Sequence, residues 1–267
     1  MTAGELLAAS GLPALEARAL LAHLTGWRRE ILIAFPEREP AADVAKRFAE
    51  LAARRRAGEP LAYLLGSKEF YGRDFSVTPA VLVPRPETEM LVEFAVETLA
   101  GIEHPRIADL GTGSGIIAIS VALERPGAQV NAVDISAAAL EVARGNAVAL
   151  GAAVDFRCGS WWSPLAGERF DLILSNPPYI AAKDEHLDVL GHEPRLALTD
   201  EGDGLACLRA IAAGAREHLK PGGWIAVEHG WDQGPATRAL FEAAGLVQVS
   251  TLRDGAGLDR VTRGQAS

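Results

Sequence analysis

The sequence predicts an α/β protein: a mainly parallel seven-stranded sheet with an antiparallel hairpin at one edge, preceded by a small N-terminal helical bundle. Three features of the chain point to it. From Arg106 onward, short runs of β-branched and aliphatic residues alternate with stretches of helical length, the pattern of a parallel sheet covered on both faces. The loop GTGSG at 111–115 follows the first such run directly, where an open α/β sheet binds its ligand. The first 66 residues instead repeat their apolar side chains at helical spacing. The expected domains are a bundle over 1–66, a hairpin or linker over 67–85, and the α/β domain over 86–267.

In AADVAKRFAELAARRRAG, Val44, Phe48 and Leu51 fall at i, i+4 and i+7, and Arg54, Arg55 and Arg56 precede Gly58. That predicts a helix with one apolar stripe, cations at its negative end and a glycine stop, the arginines forming a solvated helix end. Between Ser67 and Pro86 the residues become aromatic and β-branched with turn formers between them, which predicts a hairpin or extended connector. PETEMLVEFAVETLA then starts a helix, with Glu87 and Glu89 near its positive N-terminus.

Strands are expected at Arg106–Leu110, Gln129–Asp134, Ala153–Cys158, Leu172–Ser175, Trp224–Glu228, Leu246–Leu252 and Asp259–Arg263. Helices fit between them at Ile116–Glu124, Ala137–Leu150, Leu205–Leu219 and Gly234–Ala244. The last two strands are separated only by turn residues around DGAG at 254–257, hence the antiparallel edge hairpin.

With 267 residues, 49% of them apolar and 23% charged, the chain is long enough for a large core and reads as a soluble globular protein. The N-terminus lacks the basic and apolar regions of a signal peptide, and no apolar run approaches the ~18 residues that span a bilayer. A cytoplasmic location and no membrane association are therefore expected. The formal charge of −9 opposes nonspecific binding to nucleic acid. It is unevenly placed: residues 1–85 hold 12 Lys+Arg against 10 Asp+Glu, and the rest 14 against 25. Cys158 and Cys207 show no metal or disulfide spacing and read as small buried hydrophobes; no metal site is expected. His23, His104, His186, His192 and His218 have no ligand spacing either and read as surface or satisfied polar residues.

In IADLGTGSGIIAI, Gly111, Gly113 and Gly115 let the backbone turn tightly and approach a ligand without a Cβ in the way. The third glycine stands four residues after the first, not five as in a dinucleotide fingerprint. This GxGxG loop, preceded by Asp109, resembles motif I of the class I S-adenosylmethionine-dependent methyltransferases, whose fold is Rossmann-like. Asp134 ends the second strand, where a carboxylate accepts hydrogen bonds from ribose hydroxyls; capping the next helix is its alternative role. The same resemblance puts the adenine near Ser160 and Trp161, with ordinary core packing as the alternative for Trp161.

Asn176-Pro177-Pro178-Tyr179 follows the fourth strand. Proline has no N–H and fixes φ, so the segment leaves the ladder and presents carbonyls outward. Those carbonyls and the Asn176 side-chain oxygen can accept both hydrogens of a substrate NH₂, and Tyr179 can stack on a planar group. An amide or aromatic amine is a weak nucleophile, and acceptors on its hydrogens would aim its lone pair at a methyl donor. The motif does not separate a glutamine amide from the amino group of adenine or cytosine.

The segments GSKEFYGRDFSVTPAVLVPRPETEMLVE, DLGTGSG, SNPPY, HEPRLAL, GDGL and EHGWDQG together resemble the PrmC/HemK protein-glutamine N5-methyltransferases. The resemblance implies methylation of the glutamine in the GGQ motif of bacterial class I peptide chain release factors, with S-adenosyl-L-methionine as donor. It implies that Gly111, Thr112, Gly113, Ser114, Gly115, Asp134, Trp161 and Asn176 contact the cofactor. It further implies that Asn176, Pro177, Pro178 and Tyr179 hold the glutamine, and that the N-terminal bundle helps dock the release factor. A monomer is expected. The alternative is a nucleic-acid amino methyltransferase acting on adenine N6 or cytosine N4; no insert large enough for a DNA target-recognition domain is present. Glu87 and Glu89 are candidates to shape the site or cap their helix, and Glu228, His229 and Gln233 to shape the site or end their strand.

Overall fold

Helical spacing of apolar residues in the first part of the chain becomes five short helices in the computed structural model, which describes all 267 residues. They are α1 (Ala3–Ala9), α2 (Ala14–Thr25), α3 (Arg29–Ala34), α4 (Ala42–Arg56) and α5 (Leu61–Leu65). Thr2 opens α1 with a capping box, its hydroxyl accepting from Glu5 N and its own N–H donating to the Glu5 carboxylate. The stripe of α4 is as expected: Phe48 is fully buried, and Val44 and Leu51 pack against the same cluster around Leu20, Leu21 and Leu32. The arginine run, however, is not a free solvated end. Arg54 grips Glu59 with two nitrogens, Arg55 grips Glu16 of α2 at 2.8 and 2.9 Å, and Arg56 donates to the Ser10 carbonyl that ends α1. Planar guanidinium forks suit such bidentate clamps.

The chain divides into two compact units, Met1–Lys68 and Glu69–Ser267. Strands β1 (Ser67–Phe70) and β2 (Arg73–Ser76) form the expected hairpin, with Tyr71 and Gly72 both at positive φ in the turn. A 3₁₀ turn at Pro86–Thr88 leads into α6 (Glu89–Thr98). Glu89 does more than complement the helix dipole, because its carboxylate accepts from Tyr71 N at 2.9 Å.

The α/β part runs β3 (Arg106–Leu110), α7 (Ile116–Glu124), β4 (Gln129–Asp134), α8 (Ala137–Leu150), β5 (Val154–Cys158), β6 (Phe170–Ser175), a short α9 (His186–Val189), α10 (Ala206–His218), β7 (Leu219–Glu228), α11 (Gly234–Ala243), β8 (Val247–Arg253) and β9 (Asp259–Gln265). The seven-stranded sheet has the order β5-β4-β3-β6-β7-β9-β8, parallel except for the edge strand pairs β7–β9 and β9–β8. One face packs Ile117, Ile119 and Leu91 against Ile107 and Leu172; the other packs Leu208, Ile211 and Phe241 against Ile173 and Ile225.

Strand β7 starts five residues before the expected Trp224. Lys220–Gly223 lies between the expected helix and the expected strand, but it is absorbed as an irregularity between the Phe170–Leu219 and Leu172–Trp224 pairings. A Cβ at Gly223 would lie 2.9 Å from the Phe170 carbonyl, so only glycine lets the strand close there.

Cys158 is exposed and Cys207 half-buried, contrary to the expectation of two buried hydrophobes. Cys158 ends edge strand β5, and Cys207 sits at the start of α10 in the wall of a cavity. His218 is buried: its ring stacks on Trp162 at 4.6 Å, Nδ1 lies 3.0 Å from the Gly214 carbonyl, and Nε2 has no partner. No helix is long and apolar enough to cross a membrane.

Candidate active site

Strand order reverses between β3 and β6, so the loops leaving their carboxyl ends diverge and open a crevice. The two ends are tied together, Ser175 Oγ donating to the Leu110 carbonyl at 2.6 Å. The loop after β3 is the glycine loop and the loop after β6 begins at Asn176. Between them lies a cavity of about 440 Å³, within the usual range for a small-molecule site.

Gly111, Gly113 and Gly115 have φ of 74°, 56° and 83°, a region that side chains with a Cβ rarely occupy. Gly115 is also sterically confined, since a Cβ there would stand 2.7 Å from Ile119 Cδ1. The loop is held from behind. Gly111 N and Thr112 N donate to the Val133 carbonyl, Thr112 Oγ1 donates to Asp109 Oδ2 at 2.6 Å, and the Ser114 carbonyl accepts from Asn146. Burial raises the Asp109 carboxyl to about 7, with its Oδ1 unpartnered.

Asp134 joins the loop to the start of α8: Oδ2 accepts from Gly113 N at 2.9 Å and Oδ1 from Ser136 N at 2.8 Å. Ser136 itself is the cap of α8, so Asp134 is free of that duty. Each carboxylate oxygen keeps a second lone pair for a ligand hydroxyl. Burial raises the Asp134 pKa, although the backbone N–H groups of Ser136 and Gly113 oppose the rise. Trp161, at φ 44°, packs partly on the core and also lines the cavity, its ring 3.5 Å from where a Gly111 Cβ would be. A polar floor carrying a two-oxygen acceptor, an apolar aromatic wall and a glycine approach fit the ribose, adenine and methionyl parts of S-adenosyl-L-methionine.

On the opposite side Asn176 and Pro178 line the cavity, whereas Pro177 is buried and Tyr179 stands outside the lining. The Tyr179 hydroxyl donates to Glu228 Oε1 at 3.2 Å, and its carbonyl accepts from Gln233 Nε2 at 2.9 Å. Asn176 Nδ2 donates to Thr88 Oγ1 at 3.0 Å. Burial and the Glu228 charge raise the Tyr179 pKa, and burial lifts the Glu228 carboxyl to about 7. His229 serves the fold: Nε2 meets Thr262 Oγ1 at 2.8 Å, and burial lowers its pKa.

Gly111, Thr112, Gly113 and Ser114 thus meet Asp134, Trp161 and Asn176 at one cavity, whereas Gly115 stands outside its lining and serves the turn into α7. Sequence reasoning did not single out Thr88, Arg85, Glu193 or Leu196. Glu193, in HEPRLAL, is buried, accepts from Val83 N at 2.9 Å and pairs with Arg85, joining two segments of the cavity wall. The available signal was the glutamate in that quoted motif: a carboxylate is rarely fully buried without a partner.

Two family descriptions match the chain: PrmC N-terminal domain over residues 2–66 and Methyltransferase small domain over residues 87–203. The chain is 56% identical over 265 residues to the Release factor glutamine methyltransferase of Bordetella pertussis, with 97% of each chain covered. It is 50% identical to the protein of that name from Neisseria gonorrhoeae, over 99% of this chain and 98% of the other. Among solved structures, the T. thermophilus 16S rRNA N2 G1207 methyltransferase superposes with a TM-score of 0.56 at 20% identity, over 75% of this chain and 50% of that one. The hMettl16 catalytic domain does so at 0.58 and 16%, over 82% and 81%. At these identities the structures show a shared fold, that of the class I methyltransferases.

Proposed function

This chain belongs to the release factor glutamine methyltransferase family, and from that membership we propose how its own residues carry out the reaction. The enzyme transfers a methyl group from S-adenosyl-L-methionine to the side-chain amide nitrogen, N5, of the glutamine in the GGQ motif of bacterial class I peptide chain release factors. The donor supplies an electrophilic methyl on a sulfonium sulfur. Asp134 receives its ribose hydroxyls, Gly111–Gly115 let its chain approach the backbone, and Trp161 lies along its adenine.

The observation that carries the reading is Asn176. Its NH₂ is engaged by Thr88, and its Oδ1 makes no hydrogen bond within the chain. That oxygen and the Pro177 carbonyl accept the two N–H hydrogens of the glutamine amide, which keeps the nitrogen from conjugating freely with its carbonyl and points its lone pair toward the methyl. A C–N bond forms, the C–S bond breaks, and a proton leaves the nitrogen to water afterwards. Orientation and electrostatics supply the acceleration; a neutral acceptor suits a substrate that is neutral until transfer.

The partner is a protein. Residues 1–66 help dock the release factor, the enzyme acts as a cytoplasmic monomer, and the acidic charge of the α/β part disfavours a stable nucleic-acid complex. The test is methyl transfer from labelled donor to a purified release factor, beside DNA and ribosomal RNA. Label should enter the factor and vanish when its GGQ glutamine becomes alanine. Label that survives that change, or that appears as N6-methyladenine or N4-methylcytosine, would favour the nucleic-acid alternative or another residue.

A further inference from the structure

Behind Asn176 runs a chain of hydrogen bonds whose direction is set by chemistry. Thr88, fully buried in the 3₁₀ turn at Pro86–Thr88, has its Oγ1 2.6 Å from Glu228 Oε2 and 3.0 Å from Asn176 Nδ2. Glu228, at the end of β7, is 1% exposed and also receives the Tyr179 hydroxyl on Oε1. An ionised carboxylate has no hydrogen to give. The single Thr88 hydroxyl hydrogen is therefore committed to Glu228, and only lone pairs remain to meet Asn176. Asn176 must turn its NH₂ to Thr88, and its oxygen is the end left for a ligand.

We infer that Thr88 and Glu228 are positioning residues that fix which end of the Asn176 amide meets the substrate. The inference rests on the reading of Asn176 as the acceptor for the glutamine NH₂. Its consequence is selectivity within one functional group. A glutamine amide offers either an oxygen or an NH₂; a fixed acceptor takes the NH₂ and keeps nitrogen beside the methyl, whereas a turned Asn176 would bind the oxygen instead.

The same geometry makes the device sensitive to protons. A protonated Glu228 can donate to Thr88, which is then free to donate to Asn176 Oδ1 and turn the amide over. The groups acting on Glu228 are the Thr88 and Tyr179 hydroxyls, Glu87, which raises its pKa, and Arg260, which lowers it; burial outweighs them and brings it to about 7. The adjacent His229 faces Thr262 and the Gly230 carbonyl instead.

The test compares wild type, Thr88→Ser, Thr88→Val and Glu228→Gln for kcat and KM with the release factor between pH 6 and 9, cofactor Kd, and thermal stability. Thr88→Ser, which keeps the hydroxyl, should stay within about threefold of wild type, while Thr88→Val loses kcat by about 10²-fold with cofactor Kd little altered. Wild-type kcat should fall as pH drops below about 7. Glu228→Gln, whose amide oxygen can still accept from Thr88, should keep much of the turnover and lose that fall. Wild-type kcat in Thr88→Val, or equal damage in the serine and valine variants, would overturn the inference. If the valine variant does not fold, an unchanged pH profile in Glu228→Gln overturns it, and a flattened profile with an active Thr88→Ser supports it. A wild-type enzyme that binds cofactor but leaves the release factor unlabelled defeats the functional reading itself, and this inference with it.

Discussion

Replacing Asp134 with alanine tests the cofactor half of the site. Its oxygens each hold a backbone N–H, from Gly113 at 2.9 Å and Ser136 at 2.8 Å, and each retains one lone pair for a ribose hydroxyl. Two hydrogen bonds to a charged acceptor are worth about 1.5–3 kcal/mol apiece, so their loss costs binding roughly 3–6 kcal/mol. Because the carboxylate is not fully withdrawn from water, the lower end applies, a rise of about 10²-fold or somewhat more in cofactor Kd. The free protein also suffers, since Gly113 N and Ser136 N lose their acceptor; each bond contributes about 1 kcal/mol of stability. Calorimetric titration with S-adenosyl-L-methionine, at a temperature where both proteins are folded by circular dichroism, separates the two effects. Asp134→Asn should bind better than the alanine variant but worse than wild type, because its NH₂ must face one of those two N–H donors. Since burial raises the Asp134 pKa, wild-type affinity should also weaken as pH falls toward it. A folded alanine variant with Kd within threefold of wild type would refute the ribose assignment.

Asn176→Ala should lower kcat by about 10²-fold or more, as the removal of one oriented transition-state group does, while cofactor Kd stays within threefold in the same titration; a collapse of cofactor binding would place Asn176 in the cofactor pocket alone. Gly115→Ala puts a Cβ 2.7 Å from Ile119 Cδ1 and 3.2 Å from Ala143 Cβ at φ 83°. Left-handed backbone costs about 1–2 kcal/mol and overpacking about 1–3, so denaturant unfolding should show a loss of roughly 2–5 kcal/mol; a loss under about 1 kcal/mol would mean the loop relaxes freely. Asp109 and Glu228 hold protons up to about 7 in the native state, whereas the unfolded chain releases them near 4. Native protein therefore binds more protons between those values, and stability falls as pH rises through that window. Wild-type Tm should be higher at pH 5 than at pH 8, and Glu228→Gln and Asp109→Asn should each narrow the gap; a gap untouched by both substitutions would contradict the buried-carboxyl account.

What could be read directly from the chain was whatever depends on near neighbours. Helix α4 lies where periodicity puts it, because the packing of one helical face, here that of Val44, Phe48 and Leu51, is a property of residues three and four apart. The glycine loop declares itself because positive φ is a local demand, and the proline pair after β6 because a missing N–H ends a ladder wherever it occurs. Even so, local reasoning misjudged Lys220–Gly223, where turn residues are carried inside a strand by a long-range pairing, and Cys158, whose burial is decided by its place at a sheet edge.

The directional part of the site belongs to the tertiary structure alone. Thr88 lies 88 residues from Asn176 and 140 from Glu228, and Glu193 lies 110 from Val83. No pattern in the sequence states that a threonine beside two glutamates faces a third one at the end of a distant strand. Hydrogen bonds act over about 3 Å and depend on which atom faces which. Composition and spacing announce that an acceptor loop exists, but only the closed fold determines which oxygen of that loop remains free.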